Sequence, residues 1–141
     1  MNNFYRYTKY CICCFTLFAI LKCSTFSPKI PISNTLEIAL AKNYDKYVEL
    51  LNKSINNDTI ALTEFLKIDN IYDAAGYDHG YIIIQILENV GDSNFANAVK
   101  KLDAKEMQNL KQYFEVGFDA KNTLQEEYKF KYPTTFKLLP M

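Results

Sequence analysis

The sequence predicts a single all-α domain, a small bundle of about five helices. Three observations carry this. Apolar residues recur at three- and four-residue steps along much of the chain. Helix-capping residues stand where those runs begin. No pair of convincing strands exists that could build a sheet. With 141 residues, 49% of them hydrophobic and 23% charged, the chain has room for one ordinary domain and enough apolar mass for a core.

Residues 1–23 read as an export signal. The first ten are polar and carry Arg6 and Lys9; residues 11–21, CICCFTLFAIL, are then unbroken in apolar character. A basic head followed by a short apolar stretch is the secretory pattern. Eleven helical residues reach only about 17 Å, well short of a hydrocarbon core about 30 Å thick. All four cysteines, Cys11, Cys13, Cys14 and Cys23, lie here, so a mature body would hold itself together without disulfides. Cys23 directly follows the apolar run, and this placement resembles a bacterial lipoprotein signal. The resemblance covers residues 1–23 alone and implies lipidation at Cys23. It departs from the pattern at Lys22, where a small residue is usual. The alternatives are a cleaved or uncleaved signal without lipid, a eukaryotic anchor with Cys11, Cys13 and Cys14 palmitoylated, and an apolar N-terminus with surface cysteines in a cytosolic protein.

Residues 24–32 form a tether, because STFSPKIPI is rich in serine and proline. The helical domain then spans 33–127. Asn34, with Glu37 three residues on, predicts a capped helix running from about 35 to 55 through Leu36, Leu40, Tyr47, Val48 and Leu51. Asp58 caps a shorter helix with Leu62, Phe65 and Leu66. Periodicity fails over 69–80, where Gly76 and Gly80 fall, so an irregular stretch is expected. Residues 81–90, YIIIQILENV, predict a central buried helix with Asp78 as cap, ended by Gly91 at positive φ. Ser93 opens a short helix. Asp103 and Glu106 form a second capping box, and the helix after it extends to about 127. In the tail, 128–141, Tyr128, Phe130 and Tyr132 alternate with Lys129 and Lys131, which predicts an extended segment.

Charge narrows the function classes. The formal net charge is zero, but the export segment carries three bases and no acid. Residues 58–92 hold seven acids and one base, whereas 100–141 hold eight lysines and six acids. No concentrated basic face exists for nucleic acid. Glycine-rich phosphate loops, a Gly-x-Ser-x-Gly elbow and a thiol in the body are all missing, so no nucleotide cofactor is expected and catalysis is disfavoured. Asn52 and Asn57 begin formal glycosylation triplets, which matter only in a eukaryotic secretory route.

The acidic stretch also concentrates tyrosine. Asp69, Tyr72, Asp73, Tyr77, Asp78 and Tyr81 together suit a surface that grips a basic protein, because tyrosine supplies area and a hydroxyl while carboxylates supply the sign. The expected function is therefore binding: an exported, membrane-anchored module, with an inhibitor or immunity protein as its suggested form. Two alternatives stand beside it. Asp73, Asp78 and His79, the sole histidine, could hold a divalent metal in a small enzyme, although their spacing matches no metal loop. A structural envelope lipoprotein would instead use apolar area, such as the tail.

Overall fold

The computed structural model describes residues 27–139, and all of its regular structure is helical. The export segment, Cys23 and the first tether residues lie outside the described residues. The elements are α1 (Asn34–Leu40), α2 (Tyr44–Ile55), α3 (Thr59–Leu66), α4 (Asp73–Val99), α5 (Ala104–Lys121), α6 (Gln125–Lys131) and α7 (Pro133–Leu138).

Helix α4 is the axis of the bundle. It packs most extensively on α5 and also touches α1, α2, α3 and α7. Ile82, Ile83, Ile84, Ile86 and Leu87 are all buried, as expected for a helix apolar on most faces. The α4–α5 crossing needs glycine on both sides. A Cβ at Gly80 would lie 2.2 Å from the Tyr113 carbonyl oxygen, and one at Gly117 would lie 2.5 Å from Gly80 carbonyl atoms. The two backbones meet where no side chain fits.

Several expectations need correction. The helix predicted over 35–55 is two helices, broken by a short 3-10 turn at Ala41–Asn43 where Ala41 adopts φ 46°. The break lets α1 lie on α4 while α2 packs on α3. Its apolar spacing runs straight through the bend, so periodicity does not reveal it. The cap of α1 is Ser33, whose Oγ accepts from Leu36 N–H at 3.1 Å, one residue before the expected Asn34.

The stretch 69–80 is irregular only to residue 72, because α4 begins at Asp73. Gly76 and Gly80 are close-approach positions inside a helix, not breakers. Asp78 consequently sits within α4 and caps nothing; its carboxylate accepts from the Ser33 hydroxyl. Gly91 ends the first segment of α4 at φ 78°, as expected, and a second helical segment runs from beyond this kink to Val99. Asp58 accepts from the N–H groups of Ile60 and Ala61, and Asp103 with Glu106 closes a reciprocal capping box. Helix α5 ends at Lys121, capped by left-handed Asn122 at φ 51°, short of residue 127.

The tail is not extended. It forms α6 and α7 and returns to the bundle, where Tyr128 and Phe136 pack on Phe114 and Phe118, Tyr132 packs on Tyr128, and Leu139 is buried in the core. In α6 those partners call for helical spacing, so Tyr128 and Tyr132 turn inward while Phe130 stays 91% exposed. Asp92 tethers the returning chain, accepting from Thr134 N–H at 2.8 Å and Thr135 N–H at 2.7 Å. The packed unit therefore runs beyond residue 127.

Candidate binding groove

The loop from Asp69 to Tyr72 leads into α4 and is shaped by two left-handed residues, Asn70 at φ 61° and Asp73 at φ 53°. Asn and Asp tolerate this region better than most residues, which is why the turn is possible without glycine. One hydroxyl fastens the loop. Tyr113 Oη accepts from Ile71 N–H and donates to Ile71 C=O, each at 3.2 Å. Ile71 itself is buried in the core.

Between this loop, the first turns of α4 and one face of α5 lies a groove of about 410 Å³. Asp69, Tyr72, Asp73 and Tyr77 line its loop side. Lys105, Asn109, Gln112 and Val116 line the α5 side, with Tyr113 also in the lining. Tyr72 is 68% exposed and Tyr77 45% exposed, so large aromatic area faces solvent at the rim. The Tyr72 hydroxyl donates to Asn70 Oδ1 at 2.8 Å, and the Asn70 amide donates to Asp69. A second hollow of about 710 Å³ lies across the same loop, lined by Leu40, Lys46, Tyr47 and Ile68 among others.

The structure thus gathers four of the six residues singled out from sequence. Asp78 turns toward Ser33 instead, and Tyr81, half-exposed one helical turn beyond Tyr77, stands outside the lining. The α5 contributors were not foreseen. Lys105, Asn109, Gln112 and Val116 follow three- and four-residue steps, but on a polar helix face that spacing is ordinary.

His79 is placed differently from the metal alternative. It is fully buried, whereas Asp73 is exposed, and the structure does not bring His79, Asp73 and Asp78 to one point. Among the described residues no group of three His, Cys, Asp or Glu side chains is gathered for a metal ion. The imidazole sits among Tyr47, Phe65 and Tyr113. Its Nδ1 pairs with the Tyr47 hydroxyl at 2.8 Å, and among the described residues its Nε2 has no hydrogen-bond partner. Burial pushes its pKa down to about 3, so it is neutral at ordinary pH. Burial also raises the Tyr47 and Tyr113 phenols, which stay protonated.

Of the two formal glycosylation triplets, the one at Asn52 is buried and pinned by Lys29 N–H and Ser27 C=O, while Asn57 is exposed at φ 65°. Among the described residues no helix is long and apolar enough to cross a membrane. No family model, curated protein or solved structure matches the chain.

Proposed function

We propose that the chain is an exported, membrane-anchored binding module that recognises a basic protein through the groove at residues 69–77. An inhibitor or immunity role, masking a basic enzyme or toxin, is the form of that function we favour. The observation that carries the reading is the pairing of exposed Tyr72 and Tyr77 with Asp69 and Asp73 along one preformed groove. Exposed tyrosines at a concave site are the usual anchors of protein recognition, and carboxylates beside them select partner charge. Anchorage rests on residues 1–23 of the sequence, with Cys23 as the lipid acceptor; metabolic labelling with a fatty acid that Cys23→Ala abolishes is the test of that part.

The test of recognition is affinity capture from native cells with the full chain, at low and high salt. Tyr77→Ala and Asp73→Asn should each lose the captured protein while helicity by circular dichroism is unchanged. Asp73→Asn is preferred to Asp73→Lys because asparagine keeps the left-handed backbone at low cost. If both variants capture the same protein as the parent, the groove is not the recognition surface.

A structural envelope role is supported by one feature, the exposed apolar side chains of α6 and its cap, Phe130 at 91% and Leu124 at 69%. Truncation after Glu127 would remove core residues, so Phe130→Ala is the informative variant. Partner loss in that variant alone would favour assembly through the α6 face.

A further inference from the structure

We infer that the groove is a socket for a single arginine side chain of the partner. This rests on the reading of the groove as a protein-binding surface and names the partner's anchor. A volume of about 410 Å³ is at the small end of ligand-sized clefts and has room for one long side chain with water. Tyr72, Tyr77 and Tyr113 all line it, so a cation entering it meets aromatic rings. Asp69 and Asp73 contribute two carboxylates against one base, Lys105, which leaves the lining net negative. Among the described residues neither carboxylate is engaged in an ion pair. The α5 wall adds the side-chain amides of Asn109 and Gln112, whose oxygens accept hydrogen bonds.

Guanidinium fits this set better than ammonium. It is planar, stacks on phenol rings, offers five N–H donors and bonds carboxylates in pairs. It also sheds water more easily than the compact lysine head. The Tyr113 fastening of Ile71 holds the loop wall in place, so binding does not have to order it first.

The experiment is nuclear magnetic resonance of the full ¹⁵N-labelled chain in detergent micelles, titrated with N-acetyl-L-arginine methylamide and with its lysine and citrulline counterparts. Arginine should shift the Asn109 and Gln112 side-chain amides and the Tyr72–Tyr77 backbone saturably. The lysine compound should bind about fivefold more weakly or less, and neutral citrulline should not saturate. Asp73→Asn should weaken arginine binding about tenfold. Equal binding of lysine and arginine, or shifts that avoid the groove, would overturn the socket. If the arginine compound fails to bind while Tyr77→Ala still abolishes partner capture, the socket is wrong and the recognition surface stands. If it binds as described and no protein is captured, the socket stands and the protein-binding reading is wrong.

Discussion

The two ends of the α4–α5 pair are built to different standards. Beyond the Gly80–Gly117 crossing, toward the α4 C-terminus, Phe95, Phe114, Phe118, Tyr128 and Phe136 stack into one aromatic cluster. The polar groups there are satisfied. Glu88 accepts from Lys121 at 2.6 Å and from the Tyr128 hydroxyl. Burial opposes its charge, yet those hydrogen bonds outweigh burial and hold the carboxyl below its usual range. Asp92 behaves likewise under its bonds from Thr134 and Thr135.

The other end carries a buried imidazole nitrogen that has no partner among the described residues, a loop with two left-handed non-glycine residues, and tyrosines left in water. Natural chains break local rules chiefly where function demands it, and the satisfied end maintains the fold meanwhile. The groove lies at the compromised end.

The largest test of this contrast is pH. The folded pKa of His79, about 3, lies below its ordinary value of 6.5. Its contribution to stability is therefore complete above pH 6.5 and is lost as pH falls toward 3, because the unfolded chain binds the proton first. The loss is on the order of 4–5 kcal/mol at 1.36 kcal/mol per unit. Denaturant unfolding across a pH series should show a steep acid decline that His79→Phe flattens. An unchanged slope would mean that the imidazole is not held dry.

Next, Gly80→Ala strikes the crossing shared by both ends. Backbone atoms block the new methyl group, so a loss of about 3 kcal/mol or more is expected in thermal melts. Asp92→Ala removes two N–H acceptors from the well-satisfied end and should cost about 1–2 kcal/mol, with α7 the first part to exchange its amides. Tyr113→Phe removes the fastening of Ile71 and should cost about 1 kcal/mol, with faster hydrogen exchange confined to residues 69–73. Exchange that quickened equally at α7 would erase the distinction between the ends. Phe130→Ala is the smallest, within about 0.5 kcal/mol, because its side chain is in water.

The same contrast explains what could be read from sequence. The buried helix around Ile82–Leu87 was legible because its apolar character is local and dense. The Asp58 and Asp103 caps were legible because capping chemistry acts over three residues. The bend at Ala41 was not, since neither glycine nor proline marks it and the apolar spacing is uninterrupted. The tail was misread because a two-residue alternation of Tyr128, Phe130 and Tyr132 also fits a short helix that buries every fourth residue and leaves Phe130 outside. In the groove, the loop side was visible as acids and tyrosines close in sequence. Tyr113 and the α5 wall are some forty residues away, and only the glycine crossing brings them there. His79 was the hardest case: beside Asp78 it looks like a ligand, and only the fold shows it facing Tyr47, Phe65 and Tyr113.

The way α7 closes the far end bears on when the molecule can become itself. Tyr132, Phe136 and Leu139 leave the ribosome after everything they cover, and Asp92 waits some forty residues for its two amide partners. Until then Phe114 and Phe118 remain uncovered, and a half-made chain has no finished core to lock it. Closure of this aromatic end therefore waits until α7 has been made.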